Sequence, residues 1–411
     1  MVFRYGFLTL GNFFLKTESR APVSYESTFV QGIRDRALEL YRRNAWKTGA
    51  SDGKMVSRAA LWGANPKEPN LVRIQFNSIS PRGEGDGFVY SIASPEISGV
   101  LACKEEIGSE LRLLHTADFR VLQVASQLGT GKLVMSVRHH GCTVLAIMSG
   151  DGQGLTEITQ GETFDESPSW VPSNQSQIVF QSAGVARNEH GQEVGLSPYA
   201  IHIYDLDSSR ITALLEDPER DLLAPKLSAD GGLYFIRRPY HLGHASRSVW
   251  RWIEDILLFP YRLLYAFFQF LNIFTMMYTG KPLSHSGPFM KKQADQVQMT
   301  LWGNLVEARK TMLGEEKQGD SLVPPSWELC RKNANDEIEV LAKSVLSFDL
   351  DPVGNVLFTD GSTITHLSPS GQKTLIHKAP MIQQVVFLPP PAARAEVNSA
   401  DEQALYGVSH D

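Results

Sequence analysis

One stretch of the sequence restricts the fold more than any other: residues 155–182, which read LTEITQGETFDESPSWVPSNQSQIVFQS. A run rich in β-branched residues ends at Gly161, and an apolar run resumes at Ile178 after the turn residues Pro172, Ser173 and Asn174. β-Branched and aromatic residues favour strands, whereas Gly, Pro, Asn and Ser favour turns. The stretch therefore predicts a strand, a polar turn and a second strand.

Weaker versions of the same pattern occur along the rest of the chain. Further units are predicted to begin near Leu71, Phe119, Ala224, Ser347 and Met381. Starts separated by roughly 40 to 55 residues fit a repeat of four short strands with variable loops. Composition agrees with a folded array, since 42% of the residues are hydrophobic and 20% are charged. The expected number of units is six, with five or seven left open.

At this point the sequence resembles the TolB-like β-propeller repeat. The matching positions are Leu155, Thr156, Asp165, Pro168, Trp170 and Pro172. Residues 224–231 match the same turn without its tryptophan, and residues 173–174 are Ser-Asn where the family has Asp-Gly. The resemblance covers about residues 71–388 apart from an insertion.

The resemblance implies an all-β fold, a β-propeller of about six four-stranded blades that binds a protein or peptide on its face or rim. Propellers attached to serine peptidases share this repeat, so the fold leaves the activity open.

The sequence also predicts how the ring closes and how the chain divides. An apolar strand over residues 381–388 has no strand after it, and residues 55–62 are predicted to complete its blade, because closed propellers avoid exposed sheet edges. The predicted divisions are an N-terminal extension with an amphipathic helix (1–54), the first part of the propeller (55–240), a hydrophobic helical insertion in one blade (241–313), the remainder of the propeller (314–391) and a polar tail (392–411). The helix is predicted to begin at Ser27 or Thr28 and to end near Trp46.

The predicted insertion has the most unusual composition in the chain. Residues 249–278 would span about 45 Å as a helix, and residues 263–280 carry no charge. One apolar face and the flanking aromatic residues are the predicted contact site for a membrane or a partner: Trp250, Trp252, Ile256, Phe259, Tyr261, Leu263, Phe267, Phe270 and Phe274. The strands on either side belong to one predicted blade, so a single membrane crossing is excluded. An interfacial or re-entrant helix, a helix docked on a protein and a hairpin packed on the propeller itself remain open.

Other motifs predict ordinary turns and no catalytic, cofactor or metal residues. The sequence Gly129-Thr130-Gly131-Lys132 lacks the remaining residues of a phosphate-binding loop. Asp349 and Asp351 precede a turn, so turn chemistry is favoured over calcium binding. The net charge of −6 argues against nucleic acid as a partner.

We therefore expect a non-catalytic interaction scaffold, peripherally attached to a membrane or built into a larger assembly through residues 249–278. The alternative is a propeller-type hydrolase or lyase with its site in the central channel. A cytoplasmic, membrane-associated location is predicted, with a periplasmic one as the alternative, because Gly11 and Asn12 interrupt the apolar N-terminal run.

Overall fold

The structure is a computed structural model that describes residues 4–16, 21–49, 74–83, 87–94, 96–104, 109–139, 141–187, 193–240 and 321–389. These residues form antiparallel sheets and one helix. The N-terminal elements are β1 (Tyr5–Thr9), β2 (Asn12–Lys16), β3 (Val23–Tyr25) and α1 (Thr28–Gly49). The helix begins at Thr28, where the sequence predicts it, and ends at Gly49, three residues beyond the predicted end near Trp46. The Ser27 side chain caps it by accepting a hydrogen bond of 3.2 Å from the backbone N–H of Val30.

The strands that follow form the first three blades. The first blade contains β4 (Gln75–Pro81), β5 (Phe88–Ala93), β6 (Ser98–Lys104) and β7 (Ser109–Thr116). The second contains β8 (Arg120–Ser126), β9 (Leu133–His139), β10 (Cys142–Met148) and the short β11 (Thr156–Glu157). The third contains β12 (Thr163–Val171), β13 (Asn174–Arg187), β14 (Glu193–Leu196), β15 (Ala200–Asp205) and β16 (Arg210–Leu215).

The remaining strands form three more blades. The fourth contains β17 (Arg220–Leu227), β18 (Leu233–Pro239), β19 (Glu328–Lys332) and β20 (Ile338–Lys343). The fifth contains β21 (Ser347–Leu350), β22 (Val356–Thr359), β23 (Thr363–Leu367) and β24 (Lys373–Lys378). The sixth begins with β25 (Ile382–Phe387), which pairs with β1 in the order β25-β1-β2-β3. Among the described residues, a parallel pair of Thr143 with Phe164 connects the second blade to the third.

Alternation along the strands explains why the blades form a ring. Successive side chains of a strand point to opposite faces, so each blade presents two apolar faces to two neighbours. Val89 packs in the core between the first and second blades, whereas Tyr90 packs in the core between the sixth and first. In the fourth blade, Leu222 packs in the core shared with the third blade, and Leu223 packs in the core shared with the fifth. Within the described residues, an apolar core of this kind lies between each blade and the next.

The structure corrects the predicted closure of the ring. The N-terminal strand that pairs with β25 is β1, in which Phe7 lies opposite Val385. The predicted closing strand, residues 55–62, lies outside the described residues. Residues 5–25 are thus part of the sixth blade and not of an extension covering residues 1–54.

The reason for this error lies in the N-terminal sequence. Leu10 and Gly11 both have positive φ (52° and 74°) and connect Thr9 to Asn12, which is the two-residue hairpin turn that joins β1 to β2. In the sequence alone, Gly11 and Asn12 look like interruptions of an apolar run.

Candidate functional site

A cavity of about 140 Å³ lies at the centre of the ring. The first strand of every blade contributes to its wall, namely β4, β8, β12, β17, β21 and β25. The lining combines hydroxyl and amide groups and one charged pair with a somewhat larger number of apolar side chains and prolines. The lining includes Gln123, Ser167, Gln181, Lys226, Trp327, Ser347, Phe348, Asp349, Gln383 and Gln384. The central channel is therefore a space with a mixed polar and apolar lining, surrounded by the inner edges of the six blades.

Glutamine side chains join neighbouring inner strands. Gln384 of β25 accepts a hydrogen bond of 2.9 Å from the Ile79 N–H of β4 and donates one of 3.0 Å to the Ile79 carbonyl. An inner strand has a free edge with unpaired backbone groups, and a primary amide supplies both the donor and the acceptor that such an edge needs. These bonds therefore satisfy the channel-facing backbone where no further strand can pair.

Two other glutamines hold strained backbone in place. The Gln123 side chain accepts a hydrogen bond from the Ser167 N–H, and Gln181 accepts one of 2.7 Å from the Ala224 N–H. Ser167 and Ala224 have φ of 52° and 50°, and each precedes a proline at a bulge of its strand. Left-handed backbone is unfavourable for residues other than glycine, so a fixed acceptor is needed to stabilise it. These bulges lie in the Pro-containing segments that carry the resemblance, which the structure places within β12 and β17.

One charged pair lies in the cavity wall. Lys226 of β17 forms an ion pair with Asp349 of β21, and the other carboxylate oxygen of Asp349 accepts a 2.7 Å hydrogen bond from the Phe387 N–H. Asp349 is 6% exposed. One carboxylate thus joins the fourth, fifth and sixth blades. The two aspartates noted in the sequence have separate roles, because Asp351 binds the N–H groups of its own turn, as predicted.

A second polar cluster lies at the end of the blades where the inner strands begin. This is the same end at which the chain leaves β18 of the fourth blade. Glu166 forms a 3.0 Å salt bridge with Arg138 and accepts a hydrogen bond from Tyr199. Burial raises the pKa of the Glu166 carboxyl, and the Arg138 charge only partly opposes that rise. Nearby, Arg238 and Asp221 form a buried salt bridge of 2.8 Å.

Trp327 connects this second cluster to the cavity. It follows residues 241–320, lines the central cavity and is 2% exposed. The Arg238 guanidinium lies 4.9 Å from the centre of the indole ring, a cation–π contact. The described chain after residue 320 therefore reaches the channel wall within seven residues, at Trp327.

The membrane- or partner-binding residues predicted from the sequence lie outside the described residues. They are Trp250, Trp252, Ile256, Phe259, Tyr261, Leu263, Phe267, Phe270 and Phe274. In the described ranges, the structure contains no helix with the length and apolar character of a membrane span. The same ranges contain no cluster of three or more His, Cys, Asp or Glu side chains placed to hold a metal ion.

Sequence reasoning missed the channel residues. Gln123, Gln181, Gln383 and Gln384 belong to no local motif, and they meet only because their strands converge on the ring axis. The available signal was the pair of prolines after Ser167 and Ala224, which mark the bulges that two of these amides support.

Comparisons with known proteins agree on the fold. No family model matches the sequence, and no curated protein matches it. Among solved structures, TolB from Acinetobacter baumannii is 10% identical with a TM-score of 0.48 over 94% of this chain and 66% of that one. A chain of the nidogen/laminin complex is 6% identical with a TM-score of 0.50 over 94% of this chain and 99% of that one. The tricorn protease is 10% identical with a TM-score of 0.45 over 92% of this chain and 33% of that one. At these identities the similarity concerns the fold alone, and the chain has a β-propeller fold.

Proposed function

We propose that this chain is a non-catalytic interaction propeller, attached peripherally to a membrane or built into a larger assembly by residues 249–278. The observation that supports this most directly is the pairing of β18 with β19, in which Arg237 lies opposite Glu328. Residues 241–320 therefore leave the fourth blade and return to it at the same end of one sheet. This geometry agrees with the expectation that the strands on both sides of the insertion belong to one blade.

The pairing limits how the insertion can meet a bilayer. Both of its ends lie on one side of any membrane, so one crossing is excluded. Aromatic side chains bury about 150 Å² or more each, and removing apolar surface from water is favourable by roughly 25 cal/mol per Å². The predicted apolar face is therefore expected to be buried against lipid or protein. Large exposed apolar patches are rare on soluble monomers. A monotopic interfacial helix or a helix docked on a protein satisfies both conditions, and the cytoplasmic location remains part of this proposal.

Deletion of the apolar segment tests the proposal. Residues Ser246–Lys281 are replaced by a short Gly-Ser bridge, which the neighbouring β18 and β19 accommodate without a change of blade. The full chain is expected to float with liposomes of mixed anionic and zwitterionic lipid, or to elute with a partner when purified from its host. The deletion variant is expected to do neither while keeping its circular dichroism spectrum and a cooperative thermal transition.

Matched substitutions separate the apolar face from the rest of the segment. Phe267→Ser, Phe270→Ser and Phe274→Ser are combined in one variant, and Gln269→Ser with Asn272→Ser in the control. Association should be lost in the first variant and retained in the control, because only the first changes the apolar face. Unfolding of the deletion variant, or equal association of both substitution variants, would refute the proposal.

The alternative, a hydrolase or lyase with its site in the central channel, has one observation in its favour. Glu166 adjoins the channel residue Ser167, and burial raises its pKa, as general acids and bases often require. The test is a screen of ester, peptide and glycoside substrates with the wild-type chain and with Glu166→Gln. Turnover that depends on Glu166 would favour the enzyme over the scaffold, and absence of turnover in both would remove this alternative for those substrate classes.

A further inference from the structure

From the chemistry of its walls, we infer that the central cavity is a binding site for a small, neutral, polyhydroxylated molecule of about the size of a monosaccharide. This inference is independent of the membrane or partner attachment proposed above, since it concerns the cavity alone. Its size is the first support. A volume of about 140 Å³ corresponds to roughly ten water positions at 10–15 Å³ each. A hexose, with roughly a dozen non-hydrogen atoms, is of matching size.

The second support is a buried polar group that has no partner. Gln383 lines the cavity and is 7% exposed, and none of the described residues donates a hydrogen bond to its Oε1. Buried polar oxygens normally have a donor, and leaving one without a donor is unfavourable. The neighbouring Gln384 shows the contrast, because both ends of its amide are bonded to Ile79. A ligand hydroxyl at the wall would supply the missing donor once the Gln383 amide turned towards it.

The third support is charge. The Lys226 ammonium and the Asp349 carboxylate neutralise each other in the wall. An anionic ligand would meet a lysine that is already paired, and a cationic ligand would meet an aspartate that already accepts two bonds. Lys226 still has ammonium hydrogens to donate, because Asp349 is its one partner among the described residues and an ammonium group has three donors. A neutral ligand is therefore favoured over either ion.

The remaining lining suits hydroxyl groups in particular. Ser167, Ser169 and Ser347 carry hydroxyls that both donate and accept, and the hydroxyls of a polyol do the same. The C–H groups of a sugar ring would meet the apolar part of the lining, which includes the side chains of Val124, Ile236 and Leu346. Pockets of this kind combine apolar walls with a few placed polar groups. A polyol or monosaccharide can meet both parts of this lining, whereas a purely apolar compound would leave its serine and glutamine groups without partners.

Calorimetric titration of the full chain tests the inference. The probes are glucose, galactose, mannose, mannitol and myo-inositol, with the cation glucosamine and the anion gluconate as charged analogues. At least one neutral probe is expected to bind saturably and more tightly than its charged analogue. Gln383→Leu is expected to weaken that binding about fivefold or more, the usual effect of losing one buried hydrogen bond. Gln372→Leu, at an exposed turn residue, is the matched control and should leave binding unchanged.

A second measurement covers the case in which Gln383→Leu fails to fold. Hydrogen exchange of the wild-type chain should slow in β25 when the neutral probe is added, because Gln383 lies in that strand. The inference is overturned if no neutral probe binds, if folded Gln383→Leu binds as tightly as the wild type, or if bound probe leaves exchange in β25 unchanged.

Discussion

The backbone N–H of Phe29 donates a 2.8 Å hydrogen bond to Glu110 Oε2, which joins the first turn of α1 to β7 of the first blade. Four side-chain hydroxyls donate to the same carboxylate: those of Tyr25, Ser27, Thr28 and Tyr90. A negative charge at a helix N-terminus is favourable, because the first N–H groups have no partner within the helix. Glu110 therefore anchors α1 to the propeller.

We predict that Glu110→Gln destabilises the protein. The amide keeps one oxygen acceptor but loses the charge and the second acceptor, so several of the five donors lose their partner. The expected loss in the free energy of unfolding is about 1–3 kcal/mol, measured by urea denaturation. Glu337→Gln, at an exposed turn position, is the control and should change stability little. Equal stability of the two variants would contradict the anchoring role of Glu110.

The same carboxylate predicts a pH dependence. Burial alone would raise the pKa of Glu110, but the hydrogen bonds from Phe29, Tyr25 and Tyr90 outweigh it and hold the pKa below its usual range. A folded-state pKa below the unfolded one means that the native state binds fewer protons, so this stability is present above the unfolded pKa of about 4 and is lost as pH falls through the folded pKa. The stability difference between wild type and Glu110→Gln should therefore shrink between pH 7 and pH 3. A difference that is constant with pH would show that the charge of Glu110 is unimportant.

Gly83 offers a test of the contact between the first and second blades. A Cβ added at this residue would lie 1.7 Å from the carbonyl oxygen of Gln127, which is a severe clash with backbone. Gly83→Ala is expected to lower the free energy of unfolding by about 1–3 kcal/mol, as overpacking does. Gly184→Ala is the control, because its added Cβ would meet only the Ser197 hydroxyl at 3.8 Å. The stabilities of both variants are compared by thermal denaturation. An unchanged stability of Gly83→Ala would mean that the backbone at Gln127 moves easily to admit the added methyl group.

The Asp349 carboxylate should be more important than an ion pair at the surface. Asp349→Asn removes the charge that pairs with Lys226 and weakens the acceptor of the Phe387 N–H. We expect a loss of about 1.5–3 kcal/mol, the range for hydrogen bonds to charged groups. Asp336→Asn breaks the pair of Lys332 with an exposed partner and should cost less than about 1 kcal/mol. Similar losses in the two variants, measured by urea denaturation, would argue against a joining role for Asp349.

Phe7 tests which strand closes the ring. It is 1% exposed in β1 and stacks on Phe14 with ring centres 5.3 Å apart. Phe7→Ala is expected to cost about 3–5 kcal/mol, the usual loss for a buried phenylalanine. Leu375→Ala, at a side chain that is 54% exposed on β24, is the control and should be nearly neutral. A small effect of Phe7→Ala in calorimetric unfolding would contradict the role of β1 in closing the ring.

Local sequence patterns determined much of the architecture. The β-branched run before Gly161, the polar turn before Ile178 and their recurrence along the chain predicted a propeller, and the comparisons and sheet pairing confirm that fold. The cap at Ser27 predicted α1. These features were readable because strand periodicity, turn residues and helix caps act over a few neighbouring residues.

Only the tertiary structure decided how distant parts meet. Nothing in the sequence near Tyr5–Thr9 indicates β25 as its partner, because pairing across the whole chain depends on ring closure. Glu110 looks like an ordinary strand residue until α1 is placed against it. The channel is the clearest case, since Lys226, Asp349 and Gln383 come from three blades and acquire a common environment only when those blades converge. Local propensities specify the blades, but the site arises from contacts between blades, whose partners no local pattern encodes.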